Sequence, residues 1–431
     1  MKKIISLLLI CALVFAMTAC GASSNEPVST ELGQSENVVI IVLDALSSQY
    51  LSQLGPKSNL AKIAQDGACN LNFECVYPSQ TLTNHTTIMT GVGAGAHGIV
   101  GNVRIADDGI TQIKSREPEM IEATTIFELA KEEGFKTAIV SGKNNLVKLF
   151  TNGCDVGTSN IQPLDYLGSA PNLDDAETNE EYYKMNLELA DWVFDSLYKV
   201  LETENPNLTL VNIQATDYIG HRFGPNSEEM SNCLKRVDKA LGKFYDKMKK
   251  SGMLENTTII IVADHGMTES YNAINLNIET MMNFPNAVAA IDGRLGLIWL
   301  NGESEEDVIA YFEAKEGVAA IYPADSELAV SRGVVNENNP DLILDSEPGY
   351  VFMPPALLEE YRGQHGSPDD TDMIIPIICV GSGIPAGAGI EASDLRAVAP
   401  LVCTLLGIDG GEFELSVPAF LPSQDLSAFN K

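Results

Sequence analysis

Val38-Val39-Ile40-Ile41-Val42-Leu43-Asp44 is an unbroken apolar run that ends on a carboxylate. Five β-branched residues followed by a leucine leave no polar face. A strand made of them is covered on both sides, as in the middle of a parallel sheet. Residues 137–140, 208–213, 258–262 and 374–380 are runs of the same kind. Amphipathic helices alternate with them. Met230, Leu234, Val237, Leu241, Phe244 and Met248 recur at helical spacing, with Ser227 placed to cap the start and Gly252 to stop the end. Residues 181–203 and 124–133 also read as helices. The alternation predicts one α/β domain over about 37–425. Residues 285–350 break the rhythm with a strand at 296–300, a helix at 305–315 and a strand at 318–322. They read as a small α+β insert capping the site. No internal repeat is present.

Composition narrows the class. The chain has 431 residues, is 45% hydrophobic and carries a formal net charge of −32. It is long enough to bury a large core, and its surface repels nucleic acid. A nucleic acid polymer is therefore not an expected partner. A small anionic substrate is compatible with this charge where metal cations dominate the local field.

The first residues read as a processing signal. Lys2 and Lys3 precede an apolar stretch over 4–17, too short for a span of roughly 20 residues. It closes on Met17-Thr18-Ala19-Cys20, which resembles the lipobox of bacterial lipoproteins, with Met17 where leucine is more usual. That resemblance implies a signal over 1–20, lipidation of Cys20, a polar tether over 21–36, and a chain exported and lipid-anchored at the outer face of a bacterial membrane. Cys69 and Cys75 are close enough in sequence to pair. Buried free thiols are nonetheless the favoured reading for most of the cysteines.

The chemistry is concentrated at strand ends. Of five histidines, three stand beside carboxylates or glycine: Asp217-Tyr218-Ile219-Gly220-His221, Asp264-His265-Gly266 and Gln364-His365-Gly366. Ligands of open α/β sheets gather beyond the carboxyl ends of strands. Asp44, Asp217, Asp264 and His265 are thus expected to converge. Three Asp and three His suit zinc, and six ligands suit two ions rather than one. Two ions clamp the attacking and leaving oxygens of a phosphoryl transfer. A nucleophile is offered by Tyr77-Pro78-Ser79-Gln80-Thr81-Leu82-Thr83-Asn84-His85, which opens a helix whose N-terminus favours phosphate.

These pieces, with His97-Gly98-Ile99-Val100-Gly101-Asn102 and Asp217-x-x-x-His221-x-x-Gly224-Pro225, resemble the alkaline phosphatase superfamily, and within it the type I phosphodiesterase/nucleotide pyrophosphatase family. Their order spans 38 to about 385. The resemblance implies an alkaline-phosphatase-like three-layer sandwich with a central, mostly parallel sheet. It also implies two Zn2+ per chain, one held by Asp217, His221 and His365, the other by Asp44, Asp264, His265 and the oxygen of Thr81. Thr81 would form a phosphoryl-enzyme on a small phosphorylated substrate, and Asn84 would donate to a phosphate oxygen. His97 reads as structural, and His85 has no assigned role.

Two departures bear on substrate. Nucleotide-cleaving members carry an aromatic residue directly after the nucleophile, and here it is Leu82, followed by Thr83. Phosphonoacetate hydrolases clamp their substrate with lysines after a strand. Here Val140-Ser141-Gly142-Lys143 supplies one, Lys143, as a candidate substrate contact. The sequence thus predicts a zinc-dependent phosphodiesterase or pyrophosphatase. The alternatives are a phosphomonoesterase or a phosphonoacetate-hydrolase-like enzyme, and from another class a non-catalytic metal-binding surface lipoprotein.

Overall fold

The computed structural model describes residues 28–106 and 109–430. Cys20, the signal over 1–20 and the first part of the tether lie outside the described residues. Among those described, no helix is long and apolar enough to cross a membrane.

The run that opens the chain's first strand lies inside a nine-stranded sheet. Its strands are β1 (Asn37–Leu43), β2 (Ala68–Glu74), β3 (Thr137–Ser141), β4 (Val156–Ser159), β5 (Leu208–Ile213), β6 (Thr257–Val262), β7 (Ile374–Gly381), β8 (Gly389–Glu391) and β9 (Ala419–Leu421). They lie in the order β9-β8-β2-β7-β6-β1-β5-β3-β4. β1 pairs in parallel with β5 on one side and β6 on the other. Every residue of β1 from Val38 to Leu43 is buried, as an all-apolar central strand must be. The sequence does not distinguish β7 from the parallel strands, yet it runs antiparallel to both β6 and β2. A strand buried on both faces is apolar whichever way it points, so its pattern carries no direction.

Helices cover both faces. One layer groups α1 (Asn59–Asp66), α5 (Asn179–Glu204), α6 (Ala215–Phe223) and α7 (Glu228–Ser251). The other groups α2 (Thr81–Thr90), α3 (Ile126–Glu132) and α8 (Val398–Leu406), with the short α4 (Asn144–Leu149) against β3 and β4. Sheet and helices form the three layers. The Ser227 hydroxyl caps α7 by accepting from Met230 N, and Gly252 ends it in the left-handed conformation. A side-chain cap of this kind is worth about 1 kcal/mol.

The 285–350 stretch contains a separate four-stranded antiparallel sheet, ordered Val288–Asp292, Leu295–Trp299, Leu342–Ser346, Val318–Pro323. One cluster of its core includes Ile298, Val308, Phe312 and Phe352. A second joins Leu295, Leu297 and Ile343 to Tyr77, Val100 and Val103. The insert thus shares a core with the segments on either side of α2.

Candidate active site

The parallel register sets the site. Leu43 stands beside Ile213, and Val42 stands beside both Asn212 and Val262. The chain leaves β1 at Asp44, β5 just before Asp217 and β6 just before Asp264, so three carboxylates share one edge of the sheet. Asp217 lies in the first turn of α6, and His221 follows one turn later on the same face. His265 follows Asp264 directly. His365 arrives from a loop fastened to the insert, where the amide of Arg294 donates to His365 O at 2.8 Å.

The hydrogen bonds give the three imidazoles one orientation. Nδ1 faces Gly363 O at 2.7 Å in His221, Gly266 O at 2.8 Å in His265 and Ser79 O at 2.7 Å in His365. A carbonyl oxygen only accepts, so each Nδ1 donates, and Nε2 is the nitrogen whose lone pair the neutral ring offers to a metal. The three Nε2 atoms face carboxylate oxygens. His221 Nε2 is 3.1 Å from Asp217 Oδ1, His265 Nε2 is 3.7 Å from Asp44 Oδ1 and 3.5 Å from Asp264 Oδ2, and His365 Nε2 is 3.7 Å from Asp217 Oδ1. Asp44 Oδ1, Asp217 Oδ1 and Asp264 Oδ2 are buried and make no sound hydrogen bond to anything. Buried, unpaired lone pairs facing one another are costly unless a cation lies between them. Two groups of side chains have that geometry: Asp217, His221 and His365, and Asp44, Asp217 and His265. An all-Asp/His donor set of this kind fits divalent transition ions such as zinc.

Thr81 is the first residue of α2. Its Oγ1 lies 3.2 Å from His265 Nε2 and 3.4 Å from the Lys143 ammonium. Lys143 reaches 2.6 Å from Asp217 Oδ2 and 2.9 Å from Asp44 Oδ2. Burial opposes its charge, but Asp217 and Asp44 outweigh that and hold its pKa well above the ordinary lysine value. Burial also opposes ionisation of Asp217, yet Lys143 and His221 keep it well below the usual carboxylate range. Burial, then repulsion from Asp264, pushes Asp44 up to about 6. Burial, followed by His265 and His221, lowers His365 far below an ordinary histidine, so it is neutral, as a metal ligand must be.

Asp44, Thr81, Lys143, Asp217, His221, Asp264, His265 and His365 therefore come together. Asn84 does not join them. Its side chain is fully buried: Nδ2 lies within hydrogen-bonding range of Val76 O, Pro78 O and Gln80 O, and Oδ1 accepts from Val76 N. No donor remains for phosphate, and Asn84 instead fixes the loop that leads into α2. The asparagine at the mouth of α2 is Asn102. Its Oδ1 accepts from Leu82 N at 2.9 Å, and its Nδ2 donates to Gln80 Oε1 at 2.7 Å and weakly to Asp292 Oδ1 at 3.3 Å. Asn102 closes the His97–Asn102 motif, yet no local pattern tells which of two asparagines reaches the helix mouth.

Other residues support these. Asn212 donates to Asp44 Oδ2 at 2.6 Å and stands 3.2 Å from His85 Nε2. His85 is thus a support, with Nδ1 2.8 Å from Thr81 O and 3.4 Å from Asp264 Oδ2. Arg294, buried in the insert hairpin, pairs with Asp372 at 2.9 Å and with Asp369. Asp372 accepts from Ser367 N through its side chain and from Gly266 N through its carbonyl, tying two histidine loops together. His97 lies elsewhere: Nδ1 accepts from Ile99 N and Nε2 bonds Thr87 Oγ1 at 3.0 Å. Cys69 and Cys75 are both free and buried. A cavity of about 560 Å3 borders Lys143 and Tyr218. A larger one of about 750 Å3, at the edge formed by β2, β8 and β9, contains none of the site residues.

With that geometry in place, similarity to known proteins is specific. The family model of "Type I phosphodiesterase / nucleotide pyrophosphatase" matches residues 38–368. Human ectonucleotide pyrophosphatase/phosphodiesterase family member 1 is 27% identical over 257 residues, which are 57% of this chain and 25% of that protein. This chain thus spans about a quarter of that relative's length. Among solved structures, an inactive threonine-to-alanine variant of murine ectonucleotide pyrophosphatase/phosphodiesterase 5 in complex with AMP superimposes with a TM-score of 0.71 at 18% identity, covering 89% of this chain and 97% of that one. Phosphonoacetate hydrolase from Sinorhizobium meliloti, in complex with phosphonoformate, gives 0.65 at 19% identity over 89% and 98%. At those identities the two structures speak to the fold alone.

Proposed function

This chain belongs to the type I phosphodiesterase / nucleotide pyrophosphatase family, and on that premise we propose that it hydrolyses phosphodiester or pyrophosphate bonds with two zinc ions and Thr81 as nucleophile. The observation that carries the reading is the convergence of three imidazole Nε2 atoms on three unpaired carboxylate oxygens beside the threonine hydroxyl. Asp217, His221 and His365 would hold one ion. Asp44, Asp264, His265 and Thr81 would hold the other. Zinc at these positions lowers the pKa of a bound hydroxyl and offsets charge on phosphoryl oxygens.

The chain's own groups do the rest. Thr81 Oγ1 gives up its proton and attacks phosphorus, the bond to the leaving oxygen breaks and that oxygen departs with a proton, and the remaining phosphoryl group, still bearing its other substituent, is esterified to Thr81. Water then attacks that phosphorus, and the P–O bond to Thr81 breaks to restore the hydroxyl. Lys143 pairs with Asp44 and Asp217. With divalent ions held by those carboxylates, its ammonium, 3.4 Å from Thr81 Oγ1, would be the cation that meets an anionic substrate. Asn102 keeps the N-terminus of α2 rigid and polar at the point where phosphate charge collects. Leu82 has its side chain buried in the core, so no ring follows the nucleophile to stack a base.

The test is hydrolysis of bis(p-nitrophenyl) phosphate and p-nitrophenyl phosphate, before and after chelation, by wild type and Thr81→Ala. Diester turnover that needs both metal and Thr81 supports the reading. Full turnover by Thr81→Ala removes the nucleophile, and a marked monoester preference moves the enzyme to the phosphomonoesterases. Lipidation at Cys20 is part of the same proposal. Release of the Cys20→Ala protein from membranes supports it, and unchanged membrane retention opposes it.

A further inference from the structure

The cavity of about 560 Å3 beside Lys143 reaches to within one side chain of the nucleophile, since the Lys143 ammonium stands 3.4 Å from Thr81 Oγ1. In a chain of net charge −32 its walls have the opposite balance. Arg116, Lys143 and Lys148 line it, against Asp174 as its one carboxylate. Asp44 and Asp217 occupy Lys143. Lys148 has no ion-pair partner among the described residues. It lies three residues after Asn145, and Asn145 accepts from Arg116 Nη1 at 3.2 Å, so the two cations flank one carboxamide.

Hydrogen-bond polarity points the same way. Asn145 Oδ1 is taken by Arg116, and Asn144 Oδ1 accepts from Ser159 Oγ at 2.7 Å. Both carboxamides therefore have their acceptors used and their N–H2 donors left over. Asn160 Oδ1 is the converse, a buried acceptor with no partner. Such a cavity asks for a ligand rich in acceptors that also carries a hydroxyl. Its aromatic walls are partly occupied. Lys143 stands 5.2 Å from the Tyr218 ring centre, and Arg222 stands 5.4 Å from that of Tyr182.

We propose that this cavity seats the organic half of the substrate, and that this half is hydroxylated and bears a second anionic group, a carboxylate or phosphate, held by Lys148 and Arg116 with the amides of Asn144 and Asn145. The inference rests on the phosphoester-hydrolase reading and narrows its substrate class. A flat, uncharged base is the competing occupant.

The experiment measures calorimetric binding to the zinc-loaded chain for two matched pairs of phosphate esters. One pair is 3-phosphoglycerate and glycerol 3-phosphate, which differ by a carboxylate. The other is fructose 1,6-bisphosphate and fructose 6-phosphate, which differ by a phosphate. AMP is the third arm. One charge-assisted contact is worth about tenfold in affinity. The doubly anionic member of at least one pair is expected to bind about tenfold tighter, and whichever pair shows it identifies the second anion. That ratio should fall towards one in the Arg116→Ala/Lys148→Ala double variant and in Lys148→Glu. Ratios near one for both pairs in wild type overturn the proposal. So does a ratio unchanged in the variants, or AMP binding tighter than every other ligand. Because binding is read directly, selective binding without diester turnover counts against the hydrolase reading alone.

Discussion

The turn after α2 that holds His97 and the sheet edge that holds His365 bury their imidazoles to nearly the same depth, with opposite results. His97 uses both ring nitrogens, accepting on Nδ1 and meeting Thr87 through Nε2. His365 uses Nδ1 alone and turns Nε2 towards Asp217. Burial lowers both pKa values, that of His97 to about 3. Depth and pKa therefore do not separate a structural histidine from the proposed ligand. The direction of the remaining lone pair does.

That contrast is open to direct attack. The largest effect belongs to Thr81→Ala, which should lower diester kcat by about 10^3-fold or more while the chain keeps its zinc through Asp and His. Loss of zinc together with activity would instead give Thr81 a mainly structural part. His365→Ala should remove one ion per chain, read by elemental analysis, and cut kcat by roughly 10^2–10^3-fold. His97→Ala should leave both ions in place and lower stability by about 1–3 kcal/mol, read by urea unfolding. Zinc loss in His97→Ala, or none in His365→Ala, breaks the comparison.

The two asparagines sharpen it at smaller scale. Asn102→Ala removes the acceptor at Leu82 N and should reduce kcat by roughly 10–100-fold with little change in melting temperature. Asn84→Ala leaves Val76 N and several carbonyls unsatisfied, so its effect should appear in stability, about 1–3 kcal/mol, with kcat per folded molecule close to wild type. Reversed outcomes would return the phosphate contact to Asn84.

A pH prediction concerns His97 alone. The folded pKa of His97 is depressed from 6.5 to about 3, so the unfolded state binds the extra proton between those values. Stability from this group is complete above about pH 6.5 and is lost as pH falls towards 3, by about 5 kcal/mol at most. Unfolding of chelated wild type and His97→Gln across pH 4–7 checks it. The difference between the two should grow with rising pH, and a constant difference would contradict it.

Much of this molecule is legible in one dimension. The β1 run and the α7 pattern with its Ser227 cap announce themselves, because strand burial and helix periodicity are local properties. Asp44, Asp217 and Asp264 follow from strand ends, and His265 from its neighbour. What escapes depends on contacts between distant segments. Lys143 joins Asp44 and Asp217 across the sheet edge, Asn102 rather than Asn84 stands at the mouth of α2, and the Asp292–Arg294 hairpin reaches both Gln80 at the head of α2 and the His365 loop. The direction of β7 escapes because a two-sided apolar strand has no direction in its composition.

Zinc reconstitution of the chelated chain, followed by bis(p-nitrophenyl) phosphate turnover at each metal ratio, tests the central claim most directly. Turnover should be negligible without metal and should rise until it levels off at about two zinc ions per chain. Full turnover in the chelated protein, or none at two bound zinc ions, would contradict it.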